Sequence, residues 1–294
     1  LNDKLADYLP AAADLRVTTD VTKGLKAATL PLENPILISH VLTHTAGFSH
    51  GLGGTALDNE IARALYYSPQ KDIESRVNTL LSLPLVSQPG EQWYYSASPD
   101  ILSLLIEKFS GMTTEKFLQT RLFDPLNMND TGYNIPESKM SRRTFLHSPN
   151  KEGVLKNSPM GAPVMGNTVF GGSHGLMSTA SDYIKFAQML LNNGEWNGKR
   201  YLSRKTLELM TINHVGDKQG PGAGFGLGFG MTTDLAKTNL IGSVGQYYWS
   251  GAYCTYFFVD PKEQMVAVLM TQNAPYSDYY NRKFRQLVYQ AIND

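Results

Sequence analysis

Pro89-Gly90-Glu91-Gln92-Trp93-Tyr94-Tyr95-Ser96-Ala97-Ser98-Pro99-Asp100 is the stretch from which the fold can be read. Pro-Gly opens a turn and an aromatic run follows it. Ser98-Pro99-Asp100 then starts a helix, with a capping hydroxyl, Pro at the first helical position and an acid in the first turn. The spacing predicts a helix over 101–109 that stops near Gly111. A tyrosyl hydroxyl is thereby set just before a helix amino terminus. There the positive end of the helix dipole and nearby cations can lower a phenol's pKa and fit it for proton transfer. The same residues also suit a packed aromatic cluster, and composition alone leaves both readings open.

Outward from this stretch, residues 1–35 are loop-rich and 36–44 form a short apolar segment stopped by Gly47. Apolar residues at three and four spacing predict helices over 57–67 and 71–83, and another over 114–122 ends before Asp124-Pro125. Residues 134–170 are irregular. Ser181 or a neighbour caps a helix through Leu191, which Asn193-Gly194 closes, and Ser203 caps a short one through Met210. The period then changes. Residues 225–231, 240–246, 252–259 and 265–271 are rich in aromatic and branched side chains. Asp260-Pro261-Lys262-Glu263 between the last two predicts an antiparallel hairpin, and 280–292 is a closing amphipathic helix. Helices first, then antiparallel strands, then one helix argue for an α+β fold. The division expected is a mainly helical region, 1–210, and a region of antiparallel strands with a carboxyl-terminal helix, 211–294.

Composition removes several classes of function. The 294 residues carry 26 Lys plus Arg against 26 Asp plus Glu, so no charge bias points to nucleic acid or a lipid surface. The six His match no zinc spacing. One cysteine, Cys254, excludes an internal disulfide and a multi-cysteine metal site. No apolar run approaches the roughly twenty residues of a membrane helix. The opening LNDKLADYLPAAADL has neither the basic start nor the apolar centre of a signal peptide.

Two stretches match Gly-x-Ser-x-Gly, around Ser49 and around Ser173. A nucleophile elbow of that form needs a buried strand before it and a parallel sheet around it. The strands recognised here lie late in the chain and pair as hairpins, which favours glycine-rich turns over an α/β-hydrolase. Two literal Ser-x-x-Lys matches, Ser68-Pro69-Gln70-Lys71 and Ser148-Pro149-Asn150-Lys151, carry Pro inside the motif and are assigned to turns. Gly224-Phe225-Gly226-Leu227-Gly228 lacks the strand-then-helix setting of a nucleotide loop and reads as strand glycines. Cys254 reads as a small packed strand residue. His44 is assigned to holding its loop by hydrogen bonds, and His174 to a surface loop.

A set of longer segments resembles one family. Leu42-Thr43-His44-Thr45-Ala46-Gly47 is similar to its Leu-Thr-His-Thr-Ser-Gly signature, and 89–100 to its Pro-Gly turn leading to Tyr-Ser and a helix. Asp124-Pro125-Leu126-Asn127-Met128-Asn129-Asp130-Thr131 resembles its Pro-Leu-Gly-Met-x-Asp-Thr. Residues 172–191 resemble its Gly-Gly-x-x-Gly-Leu-x-Ser-Thr-Ala-x-Asp helix entry, and 249–271 its Trp-x-Gly strand and hairpin. The segments run in family order from residue 1 onward. The family is the serine β-lactamase and penicillin-binding-protein group of class C type, with D-amino-acid peptidases and family VIII carboxylesterases. Tyr95-Ser96-Ala97 has Ala where the β-lactamases have Asn, and Trp249-Ser250-Gly251 stands where they have Lys-Thr-Gly. Loss of that Lys removes a cation suited to a β-lactam carboxylate, and Trp suits an uncharged group, which places the chain nearest the carboxylesterases.

The resemblance implies an antiparallel sheet flanked by helices, beside a mainly helical region. It also implies that the amino-terminal strands and the nucleophile helix, with its Ser-x-x-Lys, are expected upstream of Leu1, in the same or a separate chain. Under it, that serine attacks an ester, with amides and β-lactams as alternatives, assisted by its Lys and by Tyr95. The serine's own N–H and that of Ala252 stabilise the oxyanion, Gly251 lets the backbone approach the substrate, Trp249 walls the pocket and Ser250 lines it. Water then resolves the acyl-enzyme. A small-molecule ester or amide is the partner implied and no cofactor is. A non-catalytic binding protein on the same fold is the alternative.

Overall fold

The computed structural model describes residues 1–158 and 161–293. The chain divides into two compact units, Leu1–Gln119 with Asn167–Gly175, and Thr120–Gly166 with Leu176–Asp294.

The first unit contains the hairpin β1 (Arg16–Thr18) and β2 (Thr29–Pro31) and the helices α1 (Ile38–Leu42), α2 (Ala56–Tyr66), α3 (Ile73–Leu81), α4 (Ser98–Ser110) and α5 (Thr114–Leu118). Helix α4 packs against α1, α3 and α5. Its Ile101, Leu104 and Leu105 join Leu57, Ile61, Val77 and Leu80 in one apolar core. Starts of α2 and α3 are chemically encoded. Thr55 accepts the Asp58 N–H while Asp58 accepts the Thr55 N–H at 3.0 Å, and Asp72 accepts the Ser75 N–H at 2.8 Å. Gly111 ends α4 in the left-handed conformation at φ 68°, which glycine adopts without strain.

Helix α4 begins differently from the expectation. Ala97, not Ser98, is the cap residue, so Ser98 and Pro99 occupy the first two helical positions. The Ser98 hydroxyl turns back to Ser96, 2.7 Å away, and the Asp100 side chain is fully buried.

The second unit begins with the short hairpins β3–β4 (His147–Pro149, Leu155–Asn157) and β5–β6 (Glu195–Trp196, Lys199–Arg200). Its main sheet is five-stranded and antiparallel throughout: β7 (Ala223–Phe225), β8 (Gly230–Thr232), β9 (Tyr247–Ser250), β10 (Tyr256–Asp260) and β11 (Met265–Leu269), in spatial order β11-β10-β9-β8-β7. The α-helices of this unit among the described residues are α6 (Ala180–Leu191), α7 (Arg204–Met210), α8 (Leu235–Thr238) and α9 (Asp278–Tyr289). Successive side chains of a strand point to opposite faces, and both faces of β10 are covered. Phe257 meets Tyr183 of α6 with ring centroids 5.1 Å apart, while Phe258 stacks on Tyr289 of α9 at 5.5 Å. Hence β10 reads as an uninterrupted aromatic and branched run, as strands covered on both sides do.

Strand expectations differ from the structure in three places. The run 225–231 is two strands, because Gly228 at φ 99° turns the chain between β7 and β8. Residues 240–246 are a loop, with Gly242 and Gly245 at φ 150° and 90°. The run 252–259 yields a strand only from Tyr256, since the segment before it is a turn in which Cys254 has φ 64°. Cys254 is buried as expected, but in that turn.

Asp182, 4% exposed, joins α6 to the Asn129-Asp130-Thr131 turn. It accepts the Asp130 N–H at 2.6 Å, the Thr131 hydroxyl at 3.0 Å and Lys185 Nζ at 3.0 Å. Asp182→Ala leaves those donors without their acceptor at a buried position, and a loss of about 3 kcal/mol is expected. Chemical denaturation of this variant is the check; a midpoint equal to that of the parent protein contradicts the assignment.

Candidate active site

The Tyr95 segment is held by a ladder between two pieces of irregular backbone. The carbonyls of His44, Thr45 and Gly47 accept the N–H groups of Tyr94, Gly90 and Val86 at 2.9, 2.7 and 2.8 Å. The Ser49 carbonyl accepts the Ala97 N–H at 3.2 Å. Residues 44–49 and 86–97 thus satisfy each other's backbone groups without forming a regular sheet, which buried polar groups require. Gly47 is obligatory here: its φ is 85°, and a Cβ on it would lie 2.2 Å from the Ser87 carbonyl oxygen.

His44 locks the ladder. Its backbone is left-handed at φ 56°, which places the imidazole against Ser96. Nδ1 lies 2.8 Å from the Ser96 hydroxyl and accepts the Ser96 N–H at 3.2 Å. That acceptor role assigns the proton of the neutral ring to Nε2. Burial pushes the His44 pKa down to about 3, helped by nearby His50. His44 therefore acts as a neutral bracket, the loop-holding role read from the sequence.

The two adjacent tyrosines have different duties. The Tyr94 hydroxyl donates to the fully buried Asp58 carboxylate at 2.9 Å, and burial followed by that carboxylate pushes its pKa up to about 12. Burial opposes the ionisation of Asp58, but donors from Ser49, Thr55 and Tyr94 more than offset it, so its pKa falls below the usual value. Tyr95 instead stands half-buried among rings: His44 at 5.0 Å, His50 at 5.3 Å and Trp93 at 6.4 Å between centroids.

Both Gly-x-Ser-x-Gly serines are structural. Ser49, 1% exposed, donates to Asp58 at 2.5 Å and accepts the Gly51 N–H at 2.8 Å. Ser173 gives its N–H and its hydroxyl to Asp100, at 2.9 and 2.8 Å. The main sheet is antiparallel, so the parallel framework of an α/β-hydrolase is absent from the described residues, and that alternative is corrected. Neither Ser-x-x-Lys match is helical. Ser68 donates to the Arg63 carbonyl just past the end of α2, and Ser148 lies in β3.

Asp100 has a second task that the sequence did not disclose. Arg76 of α3, 6% exposed, brings Nη1 within 3.7 Å of the Asp100 carboxylate and 3.0 Å of His174 Nε2. Asp100, read as a first-turn acid, thereby fastens residues 171–175 and α3 to the start of α4. Positions 76, 100 and 173 share no spacing, so no sequence signal joins them.

In the second unit, Trp249 of β9 is partly buried, crosses Phe225 edge to face at 5.2 Å and lies over Gly230, where a Cβ would come within 3.2 Å of its ring. The Ser250 hydroxyl is 3.3 Å from that of Tyr276. Gly251 begins the turn to β10: its N–H donates to Thr255 O at 2.9 Å and its carbonyl accepts the Cys254 N–H at 3.0 Å. A Cβ on Gly251 would lie 2.1 Å from Thr255 Oγ1, so the Thr255 hydroxyl as placed fills the space beside the glycine. Ala252 is exposed in this turn, not on the following strand, and its N–H donates to no acceptor among the described residues.

Comparison with known proteins agrees with this architecture. Residues 1–291 match the Beta-lactamase family, and the chain belongs to it. Protein Rv1367c of Mycobacterium tuberculosis is 29% identical over 94% of this chain and 71% of its own length. Lovastatin esterase of Penicillium rubens is 27% identical over 91% of this chain and 72% of its own. Simvastatin synthase (LovD) from Aspergillus terreus superposes with a TM-score of 0.79 at 21% identity, covering 100% of this chain and 78% of that one. The fold is therefore the β-lactamase and transpeptidase type, as the motifs implied.

The His44 bracket has a pH signature. Its folded pKa of about 3 lies below the 6.5 of the free side chain, so between those values the unfolded chain binds the extra proton. The stabilisation is complete above pH 6.5 and is lost progressively as pH falls toward 3, at about 1.4 kcal/mol per pKa unit traversed. His44→Asn, which tolerates the left-handed backbone, is expected to be less stable at pH 7 and to lose less stability on going to pH 4.5. Denaturant unfolding at both pH values checks this.

Proposed function

We propose that this chain is the larger part of a serine hydrolase that cleaves esters through an acyl-enzyme. Tyr95 serves as the proton shuttle. The Ala252 N–H serves as one oxyanion donor, Trp249 as an apolar wall for the acyl or alcohol group, and Ser250 and Gly251 as the lining beside it. The nucleophile is assigned to a Ser-x-x-Lys outside residues 1–294, because both matches within them lack the helix that would set Lys over Ser.

The observation that carries this reading is the ring cage that fixes Tyr95 immediately before α4, with His44 and His50 within 5.3 Å between centroids. A general acid–base group needs its ring held in one place relative to the reacting atoms. Family membership and a lovastatin esterase among the relatives favour ester chemistry. The Ala252 N–H, which meets no acceptor among the described residues, lies in an exposed turn and is the kind of donor that a developing oxyanion uses. Trp249 in place of a lysine favours an uncharged ester over a β-lactam carboxylate.

The full-length protein is expected to be labelled covalently by a fluorophosphonate and to hydrolyse p-nitrophenyl butyrate. Tyr95→Phe is expected to lower kcat/KM by about 100-fold or more, while Tyr94→Phe mainly lowers stability. Absence of labelling excludes the serine mechanism and favours a binding protein on the same fold. Full activity in Tyr95→Phe removes the shuttle role.

A further inference from the structure

Behind Tyr95 lies a set of polar rings that neither the backbone ladder nor the proposed chemistry uses. His50 is 8% exposed. Its imidazole is nearly parallel to the Tyr95 ring, at 12° with centroids 5.3 Å apart. It is also nearly parallel to the ring of Tyr66 on α2, at 24° and 5.3 Å. The Tyr66 hydroxyl lies 3.0 Å from His50 Nδ1 and 3.3 Å from Nε2, a polar contact that holds the imidazole against α2. Tyr66 is itself gripped, with the Arg76 guanidinium 5.3 Å from its ring centroid and the His174 ring edge-on at 5.2 Å.

We infer that His50 is a positioning residue for Tyr95: with Tyr66 behind it, the imidazole fixes the plane of the phenol ring before α4. This rests on Tyr95 being the proton shuttle. A phenol swings about two side-chain torsions, and an error of about 1 Å at a reacting group can cost up to about 100-fold in rate. Loop residues 44–49 restrain the backbone of Tyr95 through its neighbours, but a ladder of main-chain bonds leaves the side-chain torsions open. A flat surface nearly parallel to the ring restricts both. His44 contributes a second contact, tilted at 54°.

The choice of histidine over an apolar ring has a physical reason. A phenyl ring would stack, but it could not accept or donate the Tyr66 hydrogen bond, so its own orientation would rest on packing alone. The imidazole is held by the Tyr66 hydroxyl and lies flat against Tyr95. Its surroundings favour the neutral ring: burial lowers its pKa, a backbone hydrogen bond and Asp100 partly oppose this, and Arg76 adds to the lowering. Tyr95 therefore faces an imidazole whose neutral form its burial favours.

The test uses steady-state hydrolysis of p-nitrophenyl butyrate by the full-length protein, with Tyr95→Phe as reference. His50→Ala is expected to lower kcat by about tenfold or more with KM within about twofold, because orientation and not substrate binding is lost. His50→Phe restores the stack and is expected to recover kcat to within about threefold. His50→Gln retains a polar contact to Tyr66 without the stack and is expected to remain as slow as His50→Ala; it also serves if the alanine variant does not fold. Parental kcat in the Gln or Ala variant, or rescue by Gln and not by Phe, overturns the inference provided that Tyr95→Phe is inactive. If Tyr95→Phe is itself active, the shuttle reading fails instead.

Discussion

Four main-chain hydrogen bonds and one imidazole decide where Tyr95 stands. The segment 86–97 has no regular secondary structure, so its buried amides need partners, and the carbonyls of 44–49 supply them. His44 closes the arrangement by accepting from Ser96 within a left-handed bend. Everything downstream inherits this constraint. Ser96 orients Ser98, Ser98 opens α4, and Asp100 in its first turn fastens residues 171–175 and α3. Two family signatures far apart in sequence are thus the two halves of one structural object.

The second unit follows a different logic. Its sheet is stabilised by covering both faces of β10, with Phe257 turned toward α6 and Phe258 toward α9. Asp182 performs for α6 what His44 does for the Tyr95 loop: a buried polar group satisfies the backbone of a turn that has no ladder of its own. The Trp249-Ser250-Gly251 segment stands at the end of β9, where Gly251 opens the turn to β10 against the Thr255 hydroxyl. Each signature segment therefore has a structural duty that would preserve it even without chemistry.

Local rules carried much of the fold. Helices α2, α3, α6 and α7 were legible from apolar spacing and from capping hydroxyls or acids, and Ser203 is the cap read from the sequence. The hairpin around Asp260-Pro261-Lys262-Glu263 was legible from its turn residues. Where reading failed, glycine or a left-handed residue was responsible: Gly228, Gly242, Gly245 and Cys254 bend segments whose side chains look like strand. Aromatic composition reports burial, not backbone direction. The Tyr95 site was legible only through family resemblance, since the bonds between 44–49 and 86–97 leave no periodic trace. The ring stack of Tyr95, His50 and Tyr66 left none either.

The central claim is that His44 is a neutral acceptor whose Nδ1 holds Ser96 and whose proton sits on Nε2. Nitrogen-15 NMR of the histidine side chains in the full-length protein tests it most directly. The account predicts an Nε2–H tautomer for His44 that shows no titration between pH 5 and 8. A His44 ring that titrates near the ordinary histidine value, or that carries its proton on Nδ1, would contradict it.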